Sequence, residues 1–248
     1  FHASNLYADF LIWCGREAAA LTHVIHMVEI FPERAQTIYH KLARLEERRG
    51  NIGSEESRAG ILRSYLIAAS GDVNLDTSQL TEERIFTIIT NCQDAHLVND
   101  ALVFLQTVLK MTQLSLRCYA AAQQKFSHFT PFTLNYARVA TDLGDIELAA
   151  QLYASAFEEN PLDLQVVEQY SVFISTHWPD QITTAESLML SVIAAYPTSA
   201  NVHLSYAIFL TMHLPSPTVA TQHFLEAIKL QPQDGHIWGQ YGCFLERQ

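Results

Sequence analysis

The sequence predicts an all-α fold in which short antiparallel helix pairs stack side by side into an α–α superhelix, a solenoid. Three observations predict it. The 248 residues include only nine glycines and eight prolines, most of them at positions that read as turns, a composition that favours helix. One stretch, Thr133 to Pro161 (TLNYARVATDLGDIELAAQLYASAFEENP), reads as two amphipathic helices with a tight turn at Gly144-Asp145. The pattern of that stretch then recurs at a nearly constant period.

Each part of the unit has a physical reason. Tyr136-Ala137 falls in the first helix. Ala149, Tyr153 and Ala156 fall on one face of the second, at i,i+4 and i,i+3 spacing. Alanines there let two helices approach closely, and the tyrosine fills the gap between pairs. Gly144 can take a positive φ and stop the first helix. Pro161 cannot continue the second helix and holds Asn160 in an extended conformation. The Tyr-Ala pair recurs as Tyr170-Ser171, Tyr206-Ala207 and Tyr241-Gly242, at gaps of 34, 36 and 35 residues. The second-helix face recurs as Ala185, Met189 and Val192, then as Ala220, Phe224 and Ala227, and the closing proline as Pro197 and Pro232. At the N-terminus Tyr7-Ala8, Gly15, Ala20, Val24, Met27 and Pro32 fall at the same spacings.

Two-helix units repeating every ~34 residues resemble the tetratricopeptide repeat. The resemblance covers at least residues 130–248 and extends to 1–34. Tyr-Ala stands where that family commonly has Leu-Gly, a variant also similar to the half-a-tetratricopeptide relatives of RNA-processing scaffolds. The resemblance implies a concave groove lined by the first helix of each pair, where partners lie. Its lining would be Leu134, Arg138, Gln165, Glu168, Val172, Asn201, Leu204, Ile208 and Met212. That mixture suits an extended or helical peptide with apolar anchors, and the apolar members equally suit packing between repeats. Chaperone-binding members of the family hold a peptide carboxylate with Lys, Asn and Arg. Here Asn5 and Asp9, Asn135 and Arg138, and Asn201 with Ser205 take the nearest places, and the lysines are missing, which argues against such a clamp.

In chain order, residues 1–34 form the first pair. A helix over 36–49 ends at Gly50, 35 residues after Gly15, and Ser54 or Ser57 caps a helix running to about Ala69. Residues 71–80 are polar and turn-rich. Helices follow over about 81–91, 94–110 and 112–126. The repeat is degenerate over 35–129. Pro32 to Pro161 is 129 residues, close to four periods of ~34, which allows either unbroken stacking or an inserted segment. Gln124 to Pro131 then joins the clean array of 130–248, whose last repeat stops after one helix. That ending, and a first residue that is Phe, suggest part of a longer chain, since solenoid ends normally carry a polar cap.

The formal charge of −11 and the lack of a long basic run argue against direct nucleic-acid binding and for a neutral or basic protein partner. Arg44 to Arg49 is the densest basic stretch, diluted by Glu46 and Glu47. No apolar run is long enough to span a membrane, and no signal-peptide pattern opens the chain. Cys14, Cys92, Cys118 and Cys243 are unpatterned and read as buried free thiols of a reducing, intracellular and cytoplasmic setting, with nuclear or cytoskeletal assemblies as other possible sites. No Asn-x-Ser/Thr site occurs. Asp72, Asn74, Asp76 and Glu83 have the ligand spacing of a calcium loop, but Thr77 replaces the turn glycine and Gln79 the apolar pin. An acidic turn with Asp76 or Ser78 capping the next helix is the better reading. His23 and His26 share a helix face without further zinc ligands, and His203, His213 and His223 have no ligand spacing. No phosphate loop, nucleophile elbow or HExxH motif is present.

The sequence therefore leads to a non-enzymatic adaptor, without cofactor, metal or small-molecule substrate, that holds protein segments or subunits of an assembly. The alternatives are a half-repeat scaffold of RNA processing and the targeting arm of a larger enzyme.

Overall fold

The computed structural model describes residues 1–49, 53–76, 80–214 and 216–247. Among them every regular element is helical. Two compact units divide the chain, residues 1–143 and 144–248. The first contains α1 (His2–Trp13), α2 (Glu17–Ile30), α3 (Ala35–Arg48), α4 (Glu55–Ser70), α5 (Glu82–Asn91), α6 (Ala95–Thr107), α7 (Thr112–Phe126) and α8 (Thr130–Asp142). The second contains α9 (Ile146–Glu159), α10 (Leu164–His177), α11 (Ile182–Ala195), α12 (Ala200–His213), α13 (Pro217–Leu230) and α14 (Gly235–Glu246).

The alanine face predicted for the second helices is the buried face. Ala20, Val24 and Met27 on α2, Ala149, Tyr153 and Ala156 on α9, Ala185, Met189 and Val192 on α11, and Ala220, Phe224 and Ala227 on α13 are all buried. The first-helix pair is buried at Tyr136-Ala137 and Tyr206-Ala207, and Ala8 and Ser171 are fully covered. Gly15 and Gly144 both take positive φ, +70° and +83°, at the turn that follows a first helix.

Six helices end on a residue that precedes proline: Phe31, Asn160, Trp178, Tyr196, Leu214 and Gln231. Their φ values lie between −137° and −128°, as a following proline demands. Leu214 is extended, with ψ 116°, but at the other five ψ is 61° to 74°, smaller than the extended conformation expected for Asn160. Each of these residues still donates its N–H to the carbonyl four residues back, as Asn160 does to Ala156 at 3.0 Å, and that bond holds the turn tight.

The second unit repeats regularly. In it α10 pairs with α11 and α12 with α13, while α9 packs on α10, α10 on α12, and α14 on both α12 and α13. The first unit does not keep this rhythm. Six described helices lie between α2 and α9, where an unbroken run of pairs would place seven. The phase changes at α4, which forms a hairpin with α3 yet also packs on α5 and α6. It thus acts as the second helix of one pair and the first helix of the next. Its sequence permits this because it is apolar nearly all round: from Ile61 to Ala69 every residue except Arg63 is buried.

Local capping follows the sequence with one correction. Ser54 caps α4 by accepting from the Ser57 N–H at 3.1 Å. The cap of α5 is Thr81, accepting from the Arg84 N–H at 3.3 Å, and not Asp76. Gly50, Thr77, Ser78 and Gln79 lie outside the described residues. Among the described residues no helix is long and apolar enough to cross a membrane.

Candidate protein-binding face

The second unit presents the exposed strips of two adjacent first helices. On α10 the strip is Gln165, Glu168 and Val172, at i,i+3,i+7 spacing. On α12 it is Asn201, Ser205, Ile208 and Met212. Asp163 fixes the start of the first strip by accepting from the Gln165 and Val166 N–H groups at 2.9 and 3.1 Å. Behind the strips, Val167, Ile174, Ala207 and Leu210 belong to the core of the unit. Leu204, at 5 % exposure, also belongs there, and Ile208 is half-buried against it. Val172 and Met212 are open to solvent, at 40 % and 62 %. Among the described residues the side chains of Gln165, Asn201 and Ser205 form no hydrogen bond within the chain. Glu168 is half-buried, and burial alone pushes its carboxyl above the usual range.

On the equivalent face of the first unit Trp13 of α1 is exposed, but the polar side chains of α3, α6 and α8 are bonded to one another. Leu134 is 2 % exposed and serves packing. Arg138 donates to Asn135 Oδ1 (3.2 Å) and Gln106 Oε1 (3.4 Å). Asn135 in turn donates to Asn99 Oδ1 (2.9 Å), and Gln106 to Asp142 Oδ2 (2.7 Å). Further along, His40 and Arg44 reach Asp100 at 2.9 and 3.6 Å. These side chains come from α3, α6 and α8 and bridge helices that the chain separates by some thirty to sixty residues.

At one of the three places nearest to a carboxylate clamp, Asn5 and Asp9, a lysine is supplied from the neighbouring repeat. Lys41 on α3 lies against Asn5 and Asp9 of α1. Its ammonium donates to Asn5 Oδ1 (2.7 Å), Asn5 O (3.2 Å) and Asp9 Oδ1 (2.7 Å). Three partners use all three protons, so this lysine has none left for an incoming carboxylate. At Asn5 and Asp9 the case against a carboxylate clamp therefore rests on satisfied geometry, and at Asn201 and Ser205 it still rests on the missing lysine. Matching residues repeat by repeat missed Lys41, because the contact joins two repeats.

Other candidates find structural roles. His203 and His223, which show no ligand spacing in sequence, meet in the α12–α13 hairpin with their Nδ1 atoms 2.9 Å apart. His203 Nε2 lies 3.0 Å from the Pro197 carbonyl. That oxygen can only accept, so a neutral His203 would carry its proton on Nε2 and accept from His223 Nδ1. Burial and the neighbouring His203 lower the His223 pKa. His23 bonds the Ser4 carbonyl, and His26 pairs with Glu29. Glu83, the last ligand of the calcium-type spacing, accepts from Arg117 at 2.8 Å, and Asp72 closes an Asx turn onto the Asn74 N–H at 3.0 Å. No group of three metal-ligating side chains occurs among the described residues. All four cysteines are free, but Cys14 and Cys243 are exposed, against the expectation of buried thiols: Cys14 lies in the turn after α1, and Cys243 on the uncovered face of α14.

Paired helices, an alanine seam and first-helix strips define a helical-repeat fold of tetratricopeptide type. A tetratricopeptide repeat protein from Parabacteroides merdae superposes with a TM-score of 0.63 at 13% identity, over 98% of this chain and 84% of that one. The C-terminal part of a TPR repeat-containing protein from Cytophaga hutchinsonii gives 0.53 at 15% identity, over 90% and 78%. At such identities the likeness is one of fold. No family model and no curated protein matches the sequence.

Proposed function

We propose that this chain is a non-enzymatic scaffold that holds a segment of another protein against the first-helix strips of its second unit, as part of a larger assembly. The observation that supports this reading is the contrast between the two faces. In the first unit polar side chains bond to one another. On α10 and α12, Gln165, Asn201 and Ser205 keep their donors and acceptors unused by the chain, beside the exposed Val172 and Met212. A peptide backbone can use those polar groups, and its side chains can cover the apolar ones. The net charge of −11 disfavours a nucleic-acid backbone as the occupant.

Selection of short random peptides on the purified chain tests the reading. Peptides are expected to bind, and Val172→Asp combined with Met212→Asp, both exposed positions, is expected to abolish binding while the helical circular dichroism stays unchanged. Failure to select any peptide, or peptides indifferent to the double variant, would overturn it.

A further inference from the structure

We infer that the occupant of this face is an extended segment bearing a lysine or arginine next to an apolar side chain, and that Glu168 is the residue that selects it. The inference rests on the reading just given and adds the chemistry of the partner.

The charge of the molecule is unevenly shared. Between Arg138 and Lys229 the sequence contains no lysine or arginine. Residues 144–248 hold two in all, Lys229 and Arg247, against eleven aspartates and glutamates. Lys229 pairs with Glu226 at 3.0 Å, and the exposed Arg247 guanidinium lies 3.7 Å from the Met212 sulfur. Many of the acids also have internal work. Asp145, Asp163 and Asp234 cap helices, and Glu186 accepts from Tyr206 at 2.9 Å.

Glu168 is different. It sits in the middle of the α10 strip, half removed from water, and no donor or cation among the described residues meets it. A half-buried carboxylate without a partner favours a cation brought from outside, because closing the site over the pair strengthens their attraction. Val172 lies one turn further along the helix, about 6 Å of rise. Alternate residues of an extended strand are about 6.8 Å apart on the same side. A segment running along α10 can therefore set a lysine or arginine on Glu168 and an apolar residue on Val172 from the same edge. The surplus of acids in the unit draws such a segment in and repels acidic ones.

The test uses an array of short peptides with full substitution by lysine, glutamate and leucine, probed with the wild-type chain and with Glu168→Gln. Lysine or arginine is expected to be required at one position. Glu168→Gln should weaken those peptides by at least about tenfold and leave the helical content and cooperative melting intact. Glu168→Asp should restore the cation preference in part. Affinity should also fall as salt rises. Peptides that bind without needing a cation, or cationic peptides that bind Glu168→Gln equally well, would overturn this inference while leaving the scaffold reading in place. A chain that binds no peptide at all would remove both.

Discussion

Glu168 and His223 show how single side chains carry conditional stability. Burial raises the Glu168 carboxyl, so the folded state holds this proton more tightly than the unfolded chain does. The contribution is present below the ordinary value of 4.5 and is lost as pH rises through the folded value. At neutral pH the ionised group is therefore a small cost, and Glu168→Gln should raise the melting temperature there, with the gain vanishing in acid. Thermal melts of the two proteins across pH would show it, and an unchanged or lowered neutral melting temperature would refute it. His223 has the opposite sense. Its folded pKa lies below 6.5, so the stabilisation is complete above that pH and is lost as pH falls from there through the folded value. His223→Asn should flatten that mildly acidic limb of the stability profile. The cysteines make a third prediction. Cys14 and Cys243 should react with a thiol reagent in the native protein, whereas Cys92 and Cys118 should stay protected until unfolding. Burial pushes the Cys118 thiol up to about 12, so it offers almost no thiolate at neutral pH.

Helix seams depend on small residues more than on any specific bond. Ala156 is 3 % exposed on α9, in the row that also holds Ala149 and Tyr153. Ala156→Glu must bury a carboxylate or separate the helices, and should destabilise by roughly 3 kcal/mol. A chemical denaturation curve unchanged from wild type would contradict the seam. Asp163→Ala removes the acceptor for two N–H groups at the start of α10 and should cost about 1 kcal/mol. These elements were legible in sequence because each repeats the same local requirements: glycine to reverse, alanine to approach, proline to stop. The helices of the middle region were legible too, at 81–91, 94–110 and 112–126. Their pairing was not, because α4 carries no repeat signature. From Ile61 to Ala69 it is buried nearly all round, and only the packing of α3, α5 and α6 around it shows that it serves two pairs.

Taken as a whole, the molecule separates charge between its units. Residues 144–248 carry most of the surplus of acids, and their self-repulsion is relieved by screening. Raising salt from low to moderate concentration should increase amide-exchange protection in α9 to α14 more than in α1 to α8. An equal response of both sets would argue that the surplus is already neutralised locally.

Sequence alone determined the helical-repeat class, the residues of the buried seams and the turns that separate them, because these depend on periodicity and on conformational preferences acting over a few residues. It also named the strips of α10 and α12. The tertiary structure alone decided which named residues are available. Leu134 and Leu204 are buried, Arg138 is bound into a polar ladder, and Lys41 is consumed by Asn5 and Asp9. Such outcomes depend on contacts between helices that lie far apart along the chain, and no local pattern encodes whether a polar side chain will find its partner inside the fold or must find it in another molecule.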